Sequence, residues 1–275
     1  MPKNSSLQLL SEPSLKTRSQ PGCLMSSSTP ARYKPPAAGA WLDPGNWRPV
    51  SDVTPLPHSD QVPCQHDTAV FPPDMTYKVS IRDHDINVAR VSVNNKNLDT
   101  VQLRSMFLSQ VGSRMFNVTR RVQVTNDHCR DRTGCQCGTD HLYDTICSYA
   151  GGDKCQETKC SSPLKPAGHC CYNYCGAVIN IMAPDLDMST VSHIARSHGA
   201  GHTLVHVRRL RDRHQIMLVP DNSGNLTMTH QTAAEIQNFL LVELDQSARV
   251  WTEYSGAGPP PGLVGKEDFP AIPDQ

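Results

Sequence analysis

The sequence predicts a multidomain, mainly β protein that consists of a β-rich unit, a disulfide-rich module and a small α+β sandwich domain. Three observations support this prediction. Short runs of alternating apolar and polar residues fill the first part of the chain, nine of the eleven cysteines lie between Cys129 and Cys175, and helical spacing becomes prominent only after that cluster. A chain of 275 residues is long enough to build several such units.

The charge balance restricts the class of partner. The chain has 26 Lys and Arg against 26 Asp and Glu, with a pI near 7.2. Nucleic-acid binders usually carry a basic excess, because each neutralised phosphate needs a cation, so we expect no nucleic acid partner. No stretch reaches the roughly 18 consecutive apolar residues of a transmembrane helix, so the chain as given is not expected to span a bilayer.

Both ends of the chain have the composition of disordered polypeptide. Residues 1–36 contain eight Ser, six Pro and few large apolar residues, and they include Cys23. No apolar run follows Lys3, so this start does not resemble a signal peptide. Residues 255–275 are rich in Pro and Gly. We therefore predict a disordered head and a flexible tail.

Residues 37–128 form the predicted β-rich domain. Apolar side chains alternate with polar ones in several short runs, a period of two that is typical of strands with one buried face. These runs centre on residues 77–81, 86–88, 91–93, 101–103 and 122–124. Turn-forming Asp, Asn and Gly residues separate them, and helical spacing is confined to residues 106–111. An all-β sandwich and a short β-solenoid both fit this pattern.

Residues 129–175 form the predicted cysteine-rich module. Zinc sites favour cysteine pairs two to four residues apart, whereas this segment contains Cys135-x-Cys137 and the adjacent pair Cys170-Cys171. The spacing and the lack of aliphatic residues favour disulfides over zinc, and we predict no metal site and no cofactor.

The count of cysteines suggests one long-range bridge. Nine is odd, and Cys64 is the nearest cysteine outside the cluster, so ten residues would make five bridges. We expect Cys64 to pair with Cys129, while the remaining pairings stay open. The predicted half-cystines are Cys64, Cys129, Cys135, Cys137, Cys147, Cys155, Cys160, Cys170, Cys171 and Cys175.

Residues 176–254 form the predicted α+β domain. Apolar periodicity predicts the order β, α, β, β, α, β, with helices on one face of an antiparallel sheet. The predicted elements cover residues 177–182, 186–195, 203–207, 215–219, 232–244 and 249–254.

The sequence contains no recognisable catalytic constellation, so we expect neither an enzyme nor a direct small-molecule substrate. The histidines at positions 193, 198, 202 and 206 lack the Glu of a His-Glu-x-x-His motif, so we interpret them as solvated or edge-strand residues. His66 and Asp67 follow Cys64, but a bridged cysteine offers no thiolate. Residues 208–213 contain four arginines, which we interpret as a solvated hairpin tip.

The sequence contains two candidate glycosylation sites in the regions predicted to be folded. Asn117 and Asn225 begin Asn-x-Thr triplets, so both are candidate glycosylation sites and, with the cysteines, favour a secretory compartment. The missing signal peptide then implies that the natural N-terminus has been lost or replaced.

Trp41 and Trp47 flank an Asp-Pro-Gly-Asn turn, where paired aromatic rings either cap a β core or contact a partner. We favour capping and keep both as candidate partner-binding residues.

Three pieces of the sequence, taken in order, resemble the extracellular region of the amnionless family. The first holds Trp41-Leu-Asp-Pro-Gly-Asn-Trp47, Val62-Pro-Cys-Gln-His-Asp67 and Val70-Phe-Pro-Pro73. The second holds Gly134-Cys-Gln-Cys-Gly138 and Gly168-His-Cys-Cys171, which are similar to von Willebrand factor type C modules. The third runs from Cys175-Gly-Ala-Val178 to Trp251, so the resemblance covers about residues 41–252.

The resemblance implies a non-enzymatic subunit of an endocytic receptor. Such a subunit binds cubilin, promotes its processing and transport to the apical surface, and supports uptake of its ligands, including vitamin B12 with its carrier. It also implies a β-helix-like unit that docks against the trimeric cubilin stalk, a von Willebrand factor C-like module, and a location in the secretory pathway, at the apical plasma membrane or in endosomes. The alternative is a secreted cysteine-rich module that binds growth factors or matrix proteins.

The sequence departs from the family pattern in two respects. The terminal motif is Cys170-Cys171-x3-Cys175, where the type C module usually has two residues in the last gap. The chain also lacks the N-terminal half of the family's ectodomain, its membrane helix and its cytoplasmic endocytosis signals, so the resemblance implies membrane contact only through a segment absent from this chain. The chain is therefore interpreted as a fragment or a soluble variant.

Overall fold

The computed structural model describes residues 39–48, 56–73, 77–158, 160–199, 201–221 and 224–256. The predictions for the head at 1–36, for Cys23 and for tail residues 257–275 lie outside these ranges. No helix in the described ranges is long and apolar enough to cross a membrane.

The first part of the described chain contains eight short strands. The period-two runs at residues 79–81, 86–88, 91–93 and 122–124 are strands, which confirms those predictions. The strands are β1 Gly39–Ala40, β2 Thr68–Phe71, β3 Val79–Ile81, β4 Ile86–Val88, β5 Arg90–Val93, β6 Lys96–Leu98, β7 Phe116–Val118 and β8 Val122–Val124.

Most of these strands pair in parallel with strands distant in sequence. The sheet β1-β3-β7 and the pairs β2-β5 and β4-β8 are all parallel, so Val79 lies opposite Phe116 and Val88 lies opposite Val124. Parallel neighbours need long crossover connections, so the chain leaves each of these sheets and later returns to add a strand that runs in the same direction. Strand β6 is antiparallel to β5, across a turn in which Asn94 and Asn95 adopt positive φ.

The predicted strand at residues 101–103 is wrong, and so is the expectation of an all-β unit. These residues lie in helix α2, Thr100–Leu108, which follows the short helix α1, His58–Gln61, and precedes α3, Gly112–Met115. A capping box starts α2, because Asp99 accepts from the Gln102 N–H while the Gln102 side chain accepts from the Asp99 N–H. This signal outweighs two apolar residues at strand spacing.

The core of the β-rich part extends beyond its predicted limit at residue 128. Helix α4, Tyr143–Ala150, belongs to the cysteine-rich segment, yet Ile146 is fully buried in this core together with Leu142. The other buried members are Trp41, Leu42, Val62, Ala69, Phe71, Val79, Ile81, Ile86, Val88, Val91, Val93, Leu103, Phe116, Val122 and Val124.

The C-terminal part has the predicted β, α, β, β, α, β order, which confirms that prediction. Its sheet is antiparallel in the order β10-β11-β9-β12, and both helices pack against its apolar face. Asp187 accepts from the Ser189 N–H before α5, and Asn225 accepts from the Met228 N–H at the start of α6. The elements are β9 Ala177–Met182, α5 Met188–Gly199, β10 Thr203–Arg209, β11 His214–Pro220, α6 Leu226–Glu243 and β12 Arg249–Tyr254.

Among the described residues, five disulfides join the ten cysteines between positions 64 and 175. The expected Cys64–Cys129 bridge is wrong, because Cys129 closes a short loop with Cys135 and Cys64 bonds Cys137. Gly134, at positive φ, turns that loop. The pairs are Cys64–Cys137, Cys129–Cys135, Cys147–Cys170, Cys155–Cys171 and Cys160–Cys175.

Candidate functional site beside Trp47

Two tryptophans enclose the turn that opens the described chain. A 3-10 turn over Pro44–Asn46 brings their rings to 5.0 Å in an edge-on arrangement, and the Trp47 indole N–H donates to the Trp41 carbonyl at 2.7 Å. Trp41 is 2% exposed, so it covers the core and offers no surface to a partner. Trp47 is half-buried and remains a candidate contact.

Aromatic neighbours hold the Trp47 ring in place. Its centroid lies 5.6 Å from that of Phe71, and Phe71 in turn packs edge-on against Phe116 at 5.3 Å. Such pairs are stabilising beyond the area they bury, and they fix ring orientation. Trp47 is therefore a preorganised aromatic side chain at the edge of the core.

A cleft of about 370 Å³ opens beside this ring. Its walls combine apolar side chains with two carboxylates. The lining residues are Trp47, Arg48, Leu56, Asp60, Gln61, Pro63, Asp67, Thr68 and Val70.

Strand β2 forms one wall of the cleft, and one of its edges is free of strand partners within the described ranges. Among the described residues its strand neighbour is β5 alone. The carbonyls of Asp67 and Phe71 accept from N–H groups of the β5 segment, so alternation directs the main-chain groups of Thr68 and Val70 towards the free edge. The Val70 side chain is 41% exposed. An added strand could bond this edge and pack on Val70.

The two carboxylates of the cleft are both engaged. Burial raises the pKa of Asp67, against the opposing effect of the hydrogen bond that it accepts from the Cys64 N–H. The Asp60 carboxylate lies 3.0 Å from the Arg208 guanidinium and 3.2 Å from the His206 ring. The cleft therefore offers apolar contact and main-chain hydrogen bonds rather than a free anionic site.

The contact between Asp60 and Arg208 ties α1 to the sheet of the C-terminal part. Both side chains are about nine-tenths buried, and Arg208 also donates to the Ala167 carbonyl. The expectation that residues 208–213 form a solvated hairpin tip is wrong for Arg208. It is also wrong for Arg213, which donates to Asn180 and lies over the Trp251 ring. Arg208 and Arg213 therefore stabilise the packing of neighbouring segments.

A pair of histidines lies where α1 meets the cysteine-rich segment. The rings of His58 and His169 are 4.3 Å apart, and His58 Nδ1 accepts from the Cys170 N–H at 3.0 Å. Burial, followed by the neighbouring His169, lowers the pKa of His58 to about 4, and burial also lowers the pKa of His169. Both rings are therefore neutral at neutral pH.

We expect His58 to make the protein less stable in acid. Unfolded histidine titrates near pH 6.5, so between about pH 6.5 and about pH 4 the unfolded chain binds more protons, and stability falls as pH falls. After allowance for solvent screening, the loss is about 1 kcal/mol. Thermal unfolding at about pH 7.5 and about pH 5 should show a smaller acid shift for His58→Gln than for the wild type. His141→Gln, at an exposed position, is the matched control, and an equal acid shift in both variants would refute the assignment.

The other sequence candidates do not converge on a reactive centre. His206 faces Asp60, and His198 packs against the Phe239 ring. Cys64, Asp67 and Cys137 have ligand atoms within 4.8 Å of one another, but the two sulfurs are bonded to each other and neither is a thiolate.

The two candidate glycosylation residues occupy different settings. Asn225 is exposed at the start of α6, and its side-chain oxygen caps that helix. Asn117 is half-buried in β7.

Sequence reasoning identified Trp47 but missed β2 and Asp60. The alternation in Thr68–Phe71, which precedes two prolines, is a strand signal that could have located the free edge. Asp60 carries no such signal, because its partner Arg208 is distant in sequence.

The sequence matches the model of a known protein family. The family model described as Amnionless matches residues 1–251. The chain belongs to the amnionless family. It is 28% identical over 166 residues to the protein named Protein amnionless from Sus scrofa, a match that covers 57% of this chain and 31% of the relative.

Two other amnionless relatives give similar matches. The Canis lupus familiaris protein is 30% identical over 163 residues, covering 56% of this chain and 35% of its own length. The Homo sapiens protein is 29% identical over 158 residues, covering 54% and 35%. The matches thus span about a third of the length of these relatives.

Proposed function

We propose that this chain is a non-enzymatic receptor subunit that binds cubilin. In this role it promotes the processing of cubilin and its transport to the apical surface, and it supports uptake of cubilin's ligands, including the vitamin B12–carrier complex. Membership of the amnionless family is the observation that carries the proposal.

The proposed contact is the cleft beside Trp47. Its ring is preorganised, and the main-chain groups of Thr68 and Val70 line the free edge of β2. A partner strand could add to this edge, since such pairing gains affinity from main-chain hydrogen bonds and specificity from alternate side chains. The half-buried aromatic ring would supply the apolar anchor.

The proposal includes the architecture that the family resemblance implies. The parallel pairs β1-β3, β2-β5 and β4-β8 support stacked coils of a short β-solenoid. The disulfides among residues 129–175 are compatible with a von Willebrand factor C-like module between this solenoid and the α+β domain. Glycosylation of Asn117 and Asn225 and passage through the secretory pathway belong to the same proposal.

Co-secretion with the N-terminal stalk of cubilin tests this function. Both proteins are directed into the secretory pathway of cultured mammalian cells, and we expect them to purify together. Val70→Lys, which places a solvated cation at the β2 edge, should reduce recovery of the complex about tenfold. Leu241→Lys is the control, because Leu241 is 39% exposed on α6, far from the cleft in sequence. Wild-type protein that travels without the stalk would refute the proposed function.

A further inference from the structure

Helices α2 and α3 close the end of the parallel strand stack that is opposite to the cleft. Strand β8 has β4 as its strand neighbour among the described residues, and the Thr100 hydroxyl both donates to the Val124 carbonyl and accepts from the Val124 N–H. The Phe116 N–H of β7 bonds the Gly112 carbonyl of α3. These contacts occupy main-chain groups of the last strands, so the stack ends under the two helices.

The outward side of this cover carries three exposed apolar side chains. Val101, Leu108 and Val111 are 77%, 79% and 69% exposed, whereas Leu103 points inward and is buried. Val101 and Leu108 are seven residues apart and share one side of α2. Terminal caps of stacked repeats normally carry a polar outer surface, because solubility requires it. We call the outward side formed by Val101, Arg104, Leu108, Val111 and Arg114 the cap surface.

The charges of the cap surface indicate which kind of binding partner would be complementary to it. Arg104 lies between Val101 and Leu108 on the same side of α2, and Arg114 follows in α3. Neither arginine has an ion pair within the described part of the chain. Residues 100–115 contain no Asp or Glu. A partner that buries these cations must supply carboxylates, since an unpaired buried charge is costly.

The same charges argue against two other occupants. A second copy that met this surface symmetrically would bring identical arginines together. A lipid surface is also a poor match, because stable membrane binding through one short amphipathic helix requires more cations and a larger apolar area than α2 offers.

We propose that the cap surface is a second contact for the protein partner, and that it receives an apolar segment bearing Asp or Glu. This inference rests on the proposed function and adds a contact to it at the opposite end of the strand stack. The partner would thus be held at both ends, and two weak contacts on one chain combine into a tighter complex.

Affinity of the full chain for the cubilin stalk tests the inference. Leu108→Asn removes an exposed apolar contact without changing the core, and we expect about tenfold weaker binding. Arg104→Glu should weaken binding by a similar factor and reduce its salt dependence. Val242→Asn is the matched control, because Val242 is 81% exposed on α6. Leu108→Asn combined with Val70→Lys should weaken binding by more than either change alone.

The outcomes separate the two proposals. Wild-type binding that Leu108→Asn leaves unchanged would overturn the cap-surface contact while the proposed function stands. Absence of wild-type binding would overturn both. Self-association, or binding to vesicles of phosphatidylserine and phosphatidylcholine, that Leu108→Asn abolishes would assign the surface to a different occupant and overturn the inference.

Discussion

Replacing Cys64 and Cys137 together by serine is expected to lower the free energy of unfolding by about 4 kcal/mol. The bridge joins residues 73 apart in sequence, so its loss returns a large loop entropy to the unfolded chain. Denaturant unfolding without reductant, compared with the wild type, measures the change.

The short Cys129–Cys135 bridge provides the matched control. It joins residues 6 apart in sequence, and the corresponding double serine variant should lose about 2 kcal/mol. A loss as large as that of the long bridge would contradict the loop-length argument. Peptide mapping of the non-reduced protein checks the pairing itself, because a peptide that links Cys64 to Cys129 would disprove the observed connectivity.

Asp60→Ala is expected to destabilise the protein by about 3 kcal/mol. The substitution leaves Arg208 buried without its carboxylate and removes the acceptor that faces His206. Removing one partner of a buried ion pair lowers stability by far more than the intact pair adds to it, because the remaining charge is shielded from solvent and has lost its counter-ion. Denaturant unfolding at neutral pH measures this loss.

The exposed pair between Arg132 and Asp187 is the control for this prediction. Arg132 is 86% exposed, so Arg132→Ala should change stability by less than about 1 kcal/mol. Equal effects of Asp60→Ala and Arg132→Ala would show that burial does not set the strength of the first pair.

Local patterns predicted the parts of this fold that local physics determines. Alternation located β3, β4, β5 and β8, and the C-terminal order followed from apolar periodicity. The strand predicted at Val101 failed because two apolar residues at strand spacing also fit a helix, and the capping box of Asp99 and Gln102 decides between them.

Long-range pairing was less accessible to sequence reasoning. The number of cysteines indicated that Cys64 has a partner in the cluster, but the choice between Cys129 and Cys137 depends on which of them the folded chain brings near. The same holds for Asp60 and Arg208, whose proximity follows from the packing of α1 on the C-terminal sheet. Of the residues that line the cleft, only Trp47 was identified from the sequence as a candidate for partner binding.

The burial of Leu142 and Ile146 in the first core bears on how this polypeptide can be divided. A recombinant fragment that stops at residue 128 would omit both side chains, and the apolar core residues that they cover would be exposed to water. During synthesis, the same core stays incomplete until helix α4 has left the ribosome. An N-terminal fragment that ends before α4 is therefore expected to be less stable than the intact chain, and expression boundaries should fall after this helix.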